Sequence, residues 1–100
     1  MLRHIVMLRF KPESSAETRA TVVAGLRGLP SHVPTIRGWT VGENAGVNPE
    51  AFDVVLVGEF DDVEGYVAYR DHPFHVEFIS THTKPNTADR ASIQFELDDA

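Results

Sequence analysis

Apolar and polar residues alternate through residues 2 to 11. Leu2, His4, Val6, Leu8 and Phe10 share one face, and Arg3, Ile5, Met7, Arg9 and Lys11 share the other. That period of two predicts a first strand. Pro12 ends it, and Ser14 followed by Glu17 makes a capping-box start for a helix over 14–29 with an apolar stripe of Val22, Val23, Leu26 and Leu29. Residues 31–35 read as a loop and 36–43 as a strand carrying Trp39 and Val41. Alternation returns at 51–60, with Phe52, Val54, Leu56 and Phe60 against Asp53, Val55, Val57 and Glu59. Asp61 with Glu64 opens a second helix over 62–71. Pro73 forbids its smooth continuation, because the ring clashes with the carbonyl four residues back, but suits the first turn of a new helix over 73–80 with His72 near its cap. Residues 81–89 read as loop, and 92–98, with Ile93, Phe95 and Leu97 alternating, as a last strand.

The order β-α-β-β-α-β is that of a ferredoxin-like α+β sandwich, a sheet with both helices on one face. The side carrying residues 4, 6, 8, 10, 52, 54, 56 and 60 belongs under the helices, with His4 its one polar member. The opposite side is apolar only in its middle, at Ile5, Met7, Val55 and Val57. If strands one and three run parallel as neighbours, Arg3 sits beside Asp53 and Arg9 beside Glu59, giving an apolar patch with a charged rim. Such a patch predicts a homodimer closing sheet on sheet through Ile5, Met7, Val55, Val57 and Trp39.

Composition narrows the chemistry. One hundred residues, 42% hydrophobic, predict one domain over 1–100. With no cysteine there is no thiolate nucleophile and no cysteine-based zinc site. A net charge of −6 without a basic stripe argues against nucleic acid, and the basic residues inside the amino-terminal apolar run argue against a signal peptide or membrane span, so the expected location is cytoplasmic. The serines read as caps and loop residues, and neither a phosphate-binding glycine loop nor a nucleophile elbow is present.

The stretch YVAYRDHPFHVEF, residues 66–78, concentrates what remains. Three readings compete for it. In a metal site, His72, His75, Glu77 and His82 would supply ligands, though a bare His-x-x-His is weak evidence for one. In a structural reading the aromatics are core, His72 caps a helix and His75 satisfies a carbonyl. In a catalytic reading His75 is a general base, Tyr69 a hydroxyl donor to developing negative charge, and His4 a further polar group in a pocket walled by apolar residues such as Val6, Leu8, Val54 and Phe78.

The opening RHIVMLRFKP, the element order, and above all Tyr-x-x-His-Pro-x-His at 69–75 resemble the stress-responsive dimeric α/β barrel (Dabb) family over nearly the whole chain. The resemblance implies homodimers joined through their sheets and a pocket between helices and sheet. By likeness to the family's cofactor-free polyketide cyclases, which perform an intramolecular aldol condensation, it implies a small-molecule ligand, His75 as base, Tyr69 as its partner, His72 and His4 near the pocket, and neither cofactor nor metal. This chain departs from those cyclases in having Val54 where they carry a further histidine, and Val22, Val23 and Leu26 where they carry large aromatic residues.

Overall fold

The computed structural model describes residues 1–97. Its elements are β1 (Leu2–Phe10), α1 (Ala16–Gly28), β2 (Gly38–Glu43), β3 (Val54–Phe60), α2 (Val63–Asp71), α3 (Pro73–Phe78) and β4 (Thr87–Glu96). The strands form one sheet in the order β2-β3-β1-β4 with every neighbouring pair antiparallel. This is the ferredoxin-like α+β arrangement. Among the described residues no helix is long and apolar enough to cross a membrane.

The expectation that β1 and β3 run parallel is corrected. The α1 crossover makes β1 and β2 run the same way, and the connection from β2 reverses β3, which inserts between them antiparallel to both. Arg3 therefore stands opposite Glu59, not Asp53, and its Nη2 lies 3.1 Å from Glu59 Oε2. Asp53 instead accepts the Phe10 backbone N–H at 2.8 Å. Arg9 caps the carbonyls of Ala51 and Glu50 and lies over the Phe52 ring, 4.5 Å from its centroid.

Both helix caps fall one residue later than the pattern suggested. Ser15, not Ser14, accepts the Thr18 N–H, and Asp62, not Asp61, accepts that of Gly65. β4 begins at Thr87 because a π turn (Ile79–Thr83) and a 3-10 turn (Lys84–Asn86) deliver the chain to the sheet edge. Asp98, the predicted end of that strand, lies outside the described residues.

The core lies between the helices and one sheet face: Val6, Leu8 and Phe10 from β1, Leu56 and Phe60 from β3, Val22, Val23 and Leu26 from α1, and Tyr69 from α2. Trp39 belongs here as well and not to the outer patch. It pairs with Gly58, whose bare Cα leaves room for the indole ring, and its Nε1–H donates to the Leu26 carbonyl at 2.8 Å. An indole N–H leaving water needs such a partner, and the last turn of α1 has carbonyls to spare.

Gly25 is the second position where the missing side chain matters, because the Phe78 ring occupies the space a Cβ would take. His4, the polar member of the core face, is 2% exposed, and its Nδ1 faces Gln94 Nε2 at 2.8 Å. With the amide donating, Nδ1 is the acceptor and the ring is neutral. Burial, then the charges of Arg90 and His75, lower its pKa to about 4.

The packing around the two α1 glycines sets opposite expectations. Gly28→Ala, with open space around it, should raise the melting temperature through a helix-propensity gain of up to about 1 kcal/mol. Gly25→Ala should lower it despite the same gain, because evicting Phe78 costs roughly 1–3 kcal/mol. For His4, the unfolded chain takes up a proton near pH 6.5 while the folded chain resists it until about 4. Stability present above pH 6.5 is thus lost as pH falls through that window. Denaturant titrations should show a loss between pH 7 and 4.5 larger in wild type than in His4→Phe by about 2 kcal/mol, allowing for solvent screening at the cavity.

Candidate active site

The site grows out of the break between α2 and α3. Pro73 has no N–H and cannot continue α2, so the chain turns extended at His72, with ψ 130°. In an unbroken helix the Phe74 N–H would bond to the Arg70 carbonyl. Here it goes to His72 Nδ1 at 3.1 Å, and the released carbonyl is taken by His75 Nδ1 at 3.0 Å. Nδ1 must therefore carry the proton, and Nε2 keeps its lone pair. Burial lowers the His75 pKa, the Arg70 carbonyl opposes that, and the charges of Arg90 and His72 add to the lowering. The ring is a neutral base at pH 7.

Tyr69, on the last turn of α2, faces His75 with ring centroids 4.2 Å apart. It is buried, and burial followed by the neighbouring Tyr66 raises its pKa, so the phenol keeps its proton and acts as a donor. Tyr66, one turn earlier, brings its ring 4.8 Å from that of His4, which is also 5.8 Å from Tyr69. Four groups able to hold or donate a proton thus converge beneath α2.

They line a cavity of about 380 Å³ between β1, β4 and the helices. Val6, Leu8, Leu26, Leu56 and Ile79 supply apolar wall, and Arg70, Thr83, Lys84 and Arg90 give the polar part of the lining. Of the residues singled out in the sequence, the fold brings His4, Val6, Leu8, Tyr69 and His75 together on this lining. His72, Val54 and Phe78 stand off it. His72 spends its imidazole capping α3, Val54 is core opposite Leu8, and Phe78 lies against Gly25 with its ring 5.3 Å from that of His82. Glu77 and His82 face a separate depression, and among the described residues no group of three or more His, Cys, Asp or Glu side chains is placed to hold a metal ion.

Sequence reasoning missed Tyr66, Thr83, Lys84 and Arg90. The signal for Tyr66 was present, since a residue three before Tyr69 shares its helix face. The other three lie in or beside a segment without periodicity.

Comparison with known proteins identifies the family and the fold. Residues 2–97 match the stress responsive A/B barrel domain (Dabb). A stress-response A/B barrel domain-containing protein of Arabidopsis thaliana is 30% identical over 88 residues, which cover 81% of this chain and 73% of that protein. Among solved structures, a dimeric ferredoxin-like protein of unknown function from Thermobifida fusca superposes with a TM-score of 0.87 at 29% identity, covering 96% of this chain and 90% of the other. The hydroxynitrile lyase of Passiflora edulis shares the fold at a TM-score of 0.86 and 19% identity, covering 99% and 94%. With a family match that spans nearly its whole length, the chain belongs to the stress-responsive A/B barrel (Dabb) family.

Proposed function

We propose that the cavity binds a small organic ligand and that His75 and Tyr69 perform cofactor-independent acid–base chemistry on it, as in a cyclase or lyase acting next to a carbonyl group. The observation that carries this reading is the His75 Nδ1–H bond to the Arg70 carbonyl, which leaves Nε2 as the basic nitrogen of a neutral ring on the cavity lining. In the proposed step a proton on the carbon beside the carbonyl passes to Nε2, and the C–H electron pair moves onto the carbonyl oxygen. The Tyr69 hydroxyl donates to the enolate so formed. If the enolate carbon then attacks a second carbonyl of the same molecule, the new alkoxide recovers the proton from His75, so the sum needs no oxidant or reductant. His4, Val6 and Leu8 contact the ligand in this reading, while His72, Val54 and Phe78 support the elements around it. The shared fold with a hydroxynitrile lyase is compatible with lyase-type chemistry on this scaffold.

The same reading includes a homodimer through the outer sheet face. There Ile5 lies between Val57 and Ile93, and Met7 between Val55 and Ala91, with the Arg3–Glu59 pair at the edge. Ile93 and Phe95, 57% and 37% exposed, extend the apolar area across β4. A contiguous apolar face of this kind suits a second copy of the chain.

Deuterium exchange into the methyl group of acetophenone, followed by proton NMR, tests the chemistry. Wild type should accelerate it over buffer, His75→Gln should lose about 10²–10⁴-fold of that acceleration, and Tyr69→Phe should lower it with the fold intact. Because the His75 pKa is lowered, the rate should rise with pH through a midpoint below the ordinary histidine value of about 6.5. Binding without acceleration would leave a binding protein and remove the role given to His75. For the dimer, light scattering should give twice the chain mass for wild type and the single mass for Ile93→Lys. An unchanged mass in the variant would rule out this face.

A further inference from the structure

The cavity is more basic than the chain that builds it. The protein carries a net charge of −6, yet the charged residues on the lining are Arg70, Lys84 and Arg90 against a single carboxylate, Asp89. Two of these four are already committed. Arg70 is held by Asp71 at 2.9 and 3.1 Å. The Asp89 carboxylate accepts the Arg90 backbone N–H at 3.0 Å and lies 3.9 Å from Arg9 Nε.

Arg90 differs from both. It stands opposite Leu8 in the β1–β4 register, which sets it on the helix-facing side of the sheet. The side-chain bond it makes is from Nη1 to Ser92 Oγ at 3.3 Å, and among the described residues no carboxylate pairs with its guanidinium. Exposed to solvent, it lies on the cavity lining, and its positive charge is felt by His4, Tyr69 and His75 alike, in each case on the side that disfavours a proton. Thr83 adds a second open valence: it is 5% exposed, lines the same cavity, and its Oγ1 has no hydrogen-bond partner. A buried hydroxyl without a partner is costly unless something else satisfies it.

Resting on the reading of this cavity as a ligand site, we infer that its ligand carries a carboxylate, held by the Arg90 guanidinium with Lys84 as a second cation and Thr83 Oγ1 as a neutral donor. A planar guanidinium presents two parallel N–H groups that match the two oxygens of a carboxylate. The apolar walls of Leu8, Leu26 and Ile79 select an organic acid over a bare inorganic anion. The ligand class is then a carbonyl compound with a carboxylate: the acid anchored at Arg90, the carbonyl oxygen at Tyr69 and the adjacent carbon at His75.

The test pairs 3-benzoylpropionate with its uncharged primary amide, and NMR titration of the full chain measures both affinities. Wild type should bind the acid at least about tenfold more tightly than the amide. Arg90→Gln should bring the two level by weakening the acid alone, Arg90→Lys should retain part of the preference, and Lys84→Gln should reduce it less than Arg90→Gln. Added salt should narrow the wild-type preference. Equal binding of acid and amide by wild type, or a preference that survives in Arg90→Gln, would overturn the carboxylate assignment while leaving the small-ligand reading in place. Binding of neither compound would overturn both.

Discussion

The carbonyl of Arg70 is the point on which the candidate site depends. Pro73 removes one N–H and forces the chain out of the α2 helix, and the next donor, Phe74 N–H, is diverted to the His72 ring. A carbonyl stripped of its helical partner must be satisfied, and the side chain within reach is His75. One hydrogen bond therefore closes the helix break, fixes the tautomer of the imidazole and sets its ring against Tyr69. The structural reading of the histidine and the proposed catalytic one are compatible in this geometry. The same bond that makes His75 a structural residue through Nδ1 leaves Nε2 with the lone pair that the proposed chemistry requires.

The two faces of the sheet divide the remaining work. Toward the helices, β1 and β3 are apolar and well covered, but β4 turns Arg90, Ser92 and Gln94 inward and Ile93 and Phe95 outward. That inversion follows from coverage. The helices pack on β1, β2 and β3, so Arg90, Ser92 and Gln94 on the helix-facing side of β4 stay exposed, with Arg90 on the cavity lining, and polar side chains there cost nothing in lost burial. It also lets Gln94 reach His4, which without that donor would be a buried ring with an unsatisfied nitrogen.

Much of this was legible in the sequence, and what was not had physical reasons. Element order, the core face of β1 and the break at Pro73 all follow from local patterns, and the Tyr69–His75 juxtaposition follows from that break. The direction of β3 relative to β1 does not, because it is set by which strand the hairpin connection returns beside. In β2, alternation put Trp39 and Val41 together without saying on which side. The opposite positions, Gly38, Thr40 and Gly42, did hold the answer: an edge strand with all its bulk on one side turns that side to the helices. The first half of β4 reads as loop because Pro85 and Asn86 suggest one and Thr87–Ala91 lack alternation. Pairing with β1 makes it a strand, and such long-range bonding leaves no local trace. Arg90 went unnoticed for that reason, since a residue left between loop and strand is assigned no face.

The cavity itself bears on assembly. A domain this small has little core to spare, and hollow space beside Leu8, Leu26 and Leu56 forfeits dispersion contacts that a filled core would make. Keeping that space open beside a buried neutral histidine lowers the stability of an isolated chain. The uncovered apolar rows on the far side of the same sheet are a reserve of burial, and a second copy seated there would offset what the cavity gives up. The candidate site and the proposed interface are on opposite faces of β1, one residue apart along the strand, with His4 turned to one and Ile5 to the other. In the proposed dimer the strand that orients the polar wall would also be the one clamped at the interface. An open cavity on one side and an uncovered apolar face on the other are then two consequences of a single alternation in residues 2 to 10.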